Sequence, residues 1–483
     1  MYDVTIIGSG ITGSFIAHNL AKYQLKVLVL EKDVEVGDGV TKANSAIIHS
    51  GYDPKPGTLK AKLNVLGNKM YEQVTKELNV DYKRIGSYTL AFNELEEKEL
   101  RKLYQHGIEN GVETYLVEKE EILKKEPNIK DTVRLGLYAP TTGILAPWDM
   151  IYALLDNALY NGVEIKTSNE VLNIDKKEDH FVVKTNQSTY KTRYVINAAG
   201  LYAEHITRMV TDNPGFKMNF TRGEYYVLDR GYDDYVHHVI YPTPTAKGKG
   251  VLIVPTIHGN VLLGPTSERI EDADSTEVTK VGLEFVKNHV NQMINNTPYK
   301  GIIRTFSGIR PKTDRLDFII EELNDTPQFI QVAGIESPGL ASAPAIAKMV
   351  EEMILNKESL ETKHDYKIYP QKQVKINEKP IDEINRLIKQ NPKYGTIICR
   401  CESITEGEII DAIHSPLGIR TIDGIKRRVR PGSGRCQGGF CQPLILEILA
   451  RELKVSKTDI LLDKEGSNIL TEETKINGGD GNE

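Results

Sequence analysis

Short apolar runs and amphipathic stretches alternate along the first third of the chain. Tyr2-Asp3-Val4-Thr5-Ile6-Ile7 and Lys26-Val27-Leu28-Val29-Leu30 read as strands, and between them Ser14 to Tyr23 carries Phe15, Ile16, Leu20 and Ala21 on one side, as a helix does. Helical periodicity returns over Leu59 to Leu78, Glu94 to Gly111 and Asp149 to Asn161. Strand signals mark Tyr88 to Phe92, Val163 to Ile165, Val171 to Ile174 and His180 to Lys184, and Tyr194-Val195-Ile196 reads as a buried strand. From Phe220 to Thr266 the pattern is mostly strands: Glu224 to Leu228, Gly250 to Val254 and Asn260 to Gly264. A turn at Gly308-Ile309-Arg310-Pro311, a strand over Phe329 to Gly334, and a turn at Ile335 to Leu340 opening a helix at Ala341 complete this part.

The order β-α-β, insertion, then return to the parallel sheet predicts an α/β fold with a Rossmann-like nucleotide-binding domain over 1–365. An antiparallel-sheet substrate subdomain is expected within it, at roughly 80–140 and 215–305. Residues 366–393 read as a linker with one short helix at Ile381 to Gln390, and 394–455 as a small helical module. The tail 456–483 ends on the polar stretch Asn477-Gly478-Gly479-Asp480-Gly481, which predicts partial disorder. No internal repeat is evident.

With 483 residues the chain has ample length for two or three domains, and a net charge of −6 argues against general nucleic-acid affinity. The first strand begins at residue 2, so no secretory leader is expected, and no apolar run approaches the roughly 18 residues of a membrane span. The expected location is cytoplasmic, with any membrane association peripheral and made through a partner.

Chemistry enters with the glycines. Gly8-Ser9-Gly10-Ile11-Thr12-Gly13 follows the first strand as G-x-G-x-x-G and opens the helix, the context in which this motif binds a pyrophosphate. Glu31, ending the second strand, is placed to take both ribose hydroxyls and would repel a 2′-phosphate. The loop from Thr41 to Gly51 and the segment Asn197-Ala198-Ala199-Gly200 are rich in small residues, as backbone passing close to a flat ligand requires. The helix opened by Ser337-Pro338-Gly339-Leu340 would point its positive N-terminal end at a ligand with developing negative charge.

All four cysteines lie between Cys399 and Cys441, as Cys399-x-Cys401 and Cys436-x4-Cys441. A disulfide framework would spread them more widely, so clustering predicts a metal centre. Four thiolates suit a [2Fe–2S] cluster or tetrahedral zinc; the one-residue gap fits a zinc knuckle poorly and favours iron–sulfur. Gly432, Gly434, Gly438 and Gly439 would let backbone N–H groups approach the sulfurs. The basic run Lys426-Arg427-Arg428-Val429-Arg430 would offset the anionic cluster, or form a solvated face or a docking patch for an acidic partner.

On these motifs the chain resembles the FAD-dependent D-amino-acid-oxidase-like superfamily over about residues 1–360. Within it the chain is most similar to anaerobic-type glycerol-3-phosphate dehydrogenases and their sister L-2-hydroxyglutarate dehydrogenases. The Cys-Arg-Cys-Glu and Gly-Arg-Cys-Gln-Gly-Gly-Phe-Cys segments resemble the bacterioferritin-associated-ferredoxin-like [2Fe–2S] domain, which is characteristic of the glycerol-3-phosphate enzymes. The resemblance implies FAD, a [2Fe–2S] cluster on Cys399, Cys401, Cys436 and Cys441, and cofactor contacts at Gly8, Gly10, Ile11, Thr12, Gly13, Glu31, Lys32, Thr41, Asn44 and Ser45. Further contacts are implied at Val171, Ala199, Gly200, Gly308, Gly334, Ser337, Pro338, Gly339 and Leu340.

The implied reaction is hydride transfer from a secondary alcohol of sn-glycerol 3-phosphate to the flavin, with electrons passed singly through the cluster to a redox partner subunit or quinone-linked acceptor. His49 is the expected base, against a loop histidine bonded to backbone, with His258 as the weaker candidate. Arg310 is expected to hold the substrate anion, against a role bracing the loop or the flavin; Arg222 and Lys312 are further anion contacts. Tyr225 and Trp148 are expected to pack. The alternatives are an L-2-hydroxyglutarate or amino-acid dehydrogenase, and a non-catalytic electron-transfer subunit docking through Lys426 to Arg430.

Overall fold

Two large sheets, with a small three-stranded one of Ile47–Ile48, Gly143–Leu145 and Tyr82–Arg84, organise the first 370 residues. In the computed structural model, which describes residues 1–245, 248, 250–370 and 374–472, the described residues fall into two compact units. These are Met1–Lys32 with Val36–Gln371, and Asp33–Glu35 with Lys372–Glu483.

The first sheet has eight strands, with Tyr2–Ile7 between Thr189–Asn197 and Val27–Leu30, parallel to both. Glu164–Lys166 continues it on one side, and Phe329–Ala333 also pairs in parallel with Thr189–Asn197. The helix after the first strand runs Ile11–Leu20. It begins three residues before the predicted Ser14 because Gly10 takes the N-cap position and the Thr41 hydroxyl accepts the Ile11 N–H at 3.0 Å. All ten of its residues are buried. It packs against helices Pro147–Tyr160 and Gly339–Leu355. Each large aliphatic side chain buried there contributes about 1.5–3 kcal/mol.

The second sheet has nine strands drawn from 87–139 and 218–313. It departs from the predicted all-antiparallel pattern at one junction, where Val239–Pro242 runs parallel to Ser87–Ala91. One face packs on Val286, Val290 and Met293 of helix Lys280–Met293. The other gathers Tyr225, Tyr241 and Val254 against Ile47 and Ile144.

The predicted turn at Gly308–Pro311 is instead the middle of a twelve-residue strand, Ile302–Thr313. Its only described pairing is with Met218–Leu228. A strand paired on one side tolerates Pro311, which has no N–H for a second neighbour. Residues beyond the helix Gly339–Leu355 stay attached to this unit: Gln24 N–H bonds Glu361 O at 2.8 Å and Tyr369 N–H bonds Asn157 Oδ1 at 2.7 Å.

The second unit contains helices Ile381–Gln390, Glu406–Ile413, Ile422–Val429 and Gln442–Leu453, with a two-stranded hairpin at Ile397–Cys399 and Ile404–Thr405. A capping box joining Thr405 and Glu408 starts the second of these helices. Of the tail, the part up to 472 is docked: Ile422 N–H bonds Leu461 O, Asp423 N–H bonds Leu462 O, and Ile460 is buried. The polar ending 477–481 lies outside the described residues.

Candidate functional site

The glycine turn does its work through the backbone. Gly8 sits at φ +99°, and a Cβ on Gly13 would lie 2.0 Å from Gly8 O, so neither position admits a side chain. On Gly10 an added Cβ would meet only Thr41 Oγ1 at 3.4 Å, which leaves that side of the helix N-terminus open to a ligand. Glu31, 7% exposed, accepts from Ser9 N–H at 2.9 Å and from the Ser9 hydroxyl at 2.5 Å through Oε2. The acid is thus held at the end of its strand beside the turn. Lys32 stands over the Tyr202 ring at 4.0 Å.

Across the sheet, Asn197 turns its amide to Ala203 O and Thr207 Oγ1, shaping the Ala199-Gly200 turn beside the same strand ends. Val171 lies in the apolar cluster under this sheet, and Gly334 takes φ +68° at the end of Phe329–Ala333. Asn44 braces its own loop, donating to Thr41 O at 2.9 Å and accepting from Ala46 N at 2.7 Å. That bracing holds Ala46 at φ +59°. These glycines, the open helix end and the held acid fit a dinucleotide such as FAD.

His49 sits between two elements that the sequence keeps far apart. Its Nδ1 is 3.0 Å from the Tyr241 hydroxyl, and its Nε2 is 3.3 Å from Ser337 Oγ, beside the start of helix Gly339–Leu355. Its carbonyl receives the amides of Asn64 at 2.7 Å and Asn68 at 3.1 Å. Both asparagines are buried on helix Leu59–Glu77. Burial pushes the Tyr241 hydroxyl well above the usual phenol range, so it stays protonated. Tyr241, Asn64 and Asn68 were not anticipated; a polar pair four residues apart on an otherwise apolar helix face is the signal that points to the asparagines.

Arg310 lies on the face of its strand that meets the loop of His49. Gly308, two residues before it, faces Ala43, whose oxygen a Cβ would meet at 1.9 Å. Arg310 Nη2 donates to Thr266 O at 3.2 Å, while Nη1 is buried with no hydrogen-bond partner among the described residues. A buried guanidinium nitrogen left in that state suits a bound anion. Tyr225 stacks on Phe306 with centroids 4.6 Å apart, and its hydroxyl is 3.0 Å from Ser45 Oγ. It therefore packs, as expected, and also ties the loop to the sheet. Burial raises its pKa, opposed by the Arg310 charge. Lys312, on the same face as Arg310, lies 3.9 Å from Glu336.

Arg222 requires correction as an anion contact. It pairs in register with Ile309 and therefore faces the opposite side of the sheet from Arg310. There its guanidinium is engaged by Glu268 at 2.8 Å, Glu277 at 3.7 Å and Glu224 at 3.9 Å. Those carboxylates would repel a substrate anion. His258 stands 3.9 Å from Asp149, in the loop between Leu252–Pro255 and Val261–Gly264. Trp148 Nε1 is buried without a hydrogen-bond partner among the described residues.

In the second unit the four thiols form two pairs. Cys401 Sγ is 3.7 Å from Cys436 Sγ, and the Cys441 thiol hydrogen-bonds Cys399. That bond, with N–H groups of Gly432 and Glu402, draws the Cys399 thiol below the usual range. The N–H groups of Gly438 and Phe440 reach Cys436. Among the described residues no three His, Cys, Asp or Glu side chains converge as a single-ion site would need. Two thiol pairs fit the two irons of a [2Fe–2S] cluster better than one zinc. The basic run is not a fully solvated face. Arg427 and Arg428 are 7% and 6% exposed, Arg427 pairs with Asp463 at 2.8 Å, and Arg430 with Glu402 at 3.0 Å. The helix Ile422–Val429 turns these cations inward because the docked tail supplies a carboxylate there.

Residues 3–353 match the family model for FAD dependent oxidoreductases, and residues 397–451 match that for the BFD-like [2Fe-2S] binding domain. The chain is 50% identical to a glycerol 3-phosphate dehydrogenase of Caloramator mitchellensis, over 98% of this chain and 99% of that one. It is 28% identical to an L-2-hydroxyglutarate dehydrogenase of Escherichia coli over 66% of this chain and 80% of that one. Among solved structures it is similar to L-alpha-glycerophosphate oxidase from Mycoplasma pneumoniae with FAD bound. The TM-score is 0.72 and the identity 32%, covering 76% of this chain and 97% of that one. Among the described residues no helix is long and apolar enough to cross a membrane.

Proposed function

Because the chain belongs to the FAD dependent oxidoreductase family and carries a BFD-like [2Fe-2S] domain, we propose that it oxidises sn-glycerol 3-phosphate to dihydroxyacetone phosphate and passes the electrons through its cluster to another protein or a quinone. The observation that carries this reading is the near full-length likeness to a relative named glycerol 3-phosphate dehydrogenase. When bound, FAD supplies the hydride acceptor.

The chain's own residues do the rest. Arg310 offers the buried Nη1 to the phosphate, fixing the substrate on the sheet face. His49 takes the hydroxyl proton at Nε2, the nitrogen that faces Ser337 and the helix N-terminus. Asn64 and Asn68 hold the His49 backbone so that the ring keeps its aim. The cysteine pairs would hold the [2Fe–2S] cluster, which when bound supplies a one-electron carrier.

A non-catalytic subunit docking through Lys426 to Arg430 is set aside: the chain is an oxidoreductase by family, and those arginines are inward-facing. An anaerobic titration of the FAD-loaded, cluster-loaded protein tests the substrate. Bleaching of the flavin band by sn-glycerol 3-phosphate, followed by bleaching of the cluster band, is expected. Bleaching by L-2-hydroxyglutarate or an amino acid alone would replace this substrate with the acid.

A further inference from the structure

Behind His49, on the side away from Ser337, lies a small pocket whose wall includes the polar side chains of Tyr241, Tyr52, Ser50, Asn64 and Asp53. His49 itself forms part of that wall, so its two nitrogens face different places: Nε2 faces Ser337, and Nδ1 faces the Tyr241 hydroxyl at 3.0 Å. Two atoms of the wall, Ser50 Oγ and Asn64 Oδ1, are buried with no hydrogen-bond partner among the described residues. Buried polar atoms in that state are ordinarily satisfied by water, and a pocket with several such groups suits ordered water. Tyr52 and Tyr241 are buried, whereas Asp53 is only partly so and forms the rim toward solvent.

We propose that His49, Tyr241 and this pocket, ending at Asp53, are the exit path for the proton removed from the substrate hydroxyl. The proposal rests on His49 being the base. The substrate O–H bond breaks and its proton joins Nε2, as the hydride leaves the adjacent carbon for the flavin. Nδ1 then gives its proton to the Tyr241 oxygen while the Tyr241 O–H proton passes to pocket water and on to Asp53 and bulk solvent. One proton enters at the substrate side and one leaves at the far side, so His49 returns neutral without the product having to depart first. Tyr241 and Asp53 act through His49 and are positioning and relay residues. Besides His49 itself, the titratable groups facing Tyr241 are Tyr52 and Asp53, from the segment that continues the His49 loop.

The test follows flavin bleaching and proton release together, in weakly buffered anaerobic stopped-flow with phenol red, on the full chain loaded with FAD and mixed with sn-glycerol 3-phosphate. In the unaltered protein the proton is expected to appear in step with bleaching. In Tyr241→Phe and Asp53→Asn it is expected to lag, with release at least about five-fold slower than bleaching. Release in step with bleaching in both variants would overturn the path. His49→Gln bleaching at the normal rate would instead remove His49 as the base, a separate failure. A readout without turnover is the ¹⁵N spectrum of the His49 ring in the resting protein. Tyr241→Phe should shift the Nδ1 signal, and an unmoved signal would deny the hydrogen bond on which the path depends, whatever the substrate is.

Discussion

The two units build their cofactor sites in opposite ways. In the second, all four cysteines come from a stretch of 43 residues, Cys399 to Cys441, and the nearby N–H groups of Glu402, Gly432, Gly438 and Phe440 come from the same stretch. In the first, His49 meets Tyr241 across 192 positions and Ser337 across 288. A site made of one local segment is legible as a motif, whereas a site made by crossing elements is not. The difference predicts separate failure modes: loss of one thiol should empty the local site, while loss of one side chain in the assembled site should degrade a rate or an affinity.

The sharpest way to break this comparison is Cys441→Ser. The iron and acid-labile sulfide content should fall nearly to zero while the flavin stays bound, as absorption spectra and metal analysis would report. Retention of a full cluster would show that ligation is not confined to the four thiols. Next in size, His49→Gln should slow flavin reduction by about 10²- to 10⁴-fold, the usual contribution of a positioned base. Stopped-flow reduction at saturating substrate measures it, and an unchanged rate would remove His49 from the chemistry.

Arg310→Met should weaken substrate binding by about 2–5 kcal/mol, the cost of removing one partner of a buried charge pair. Arg310→Lys should recover little of it, since an ammonium lacks the planar fork. Arg222→Met serves as the contrast on the opposite face of the sheet: titration should find its substrate affinity nearly unaltered, and equal losses in the two would erase the distinction between the faces.

The smallest expected effect is on acid stability. Burial lowers the His18 pKa from 6.5 to about 3, and Asn157 donates to its Nδ1 at 3.1 Å. The unfolded chain therefore takes up a proton below pH 6.5 that the folded one refuses until about 3, and stability falls with pH across that window. At about 1.4 kcal/mol per unit, the loss between pH 6.5 and 5 is about 2 kcal/mol. Denaturant melts of His18→Gln should lack this part of the slope.

Much of the fold could be read along the chain because its signals are local. The glycine turn needs only the strand before it and the helix after it, and the helix Ile381–Gln390 falls where the pattern placed it. Misreadings arose where a pairing partner decides the conformation. Gly308-Ile309-Arg310-Pro311 has the composition of a turn, yet Met218–Leu228 draws it into a ladder, with Arg310 opposite Thr221. Lys426 to Arg430 has the composition of a solvated face, yet Asp463 and Glu402 turn its arginines inward. Composition reports what a segment prefers in water; the neighbours it meets after folding can outweigh that preference.

What the sequence determined by itself was therefore the backbone-made part of this protein: the glycines that admit a nucleotide, the acid that ends the second strand, and the spacing of four thiols. Only the tertiary structure decided which side chains face one another. It set Tyr241 against one nitrogen of His49, put Arg310 and Arg222 on opposite faces of a sheet, and buried Arg310 Nη1 with no hydrogen-bond partner among the described residues. The physical reason is that glycine and cysteine carry their meaning in their own covalent structure, whereas a histidine or an arginine acquires its role from what burial and register place within about 3 Å of it.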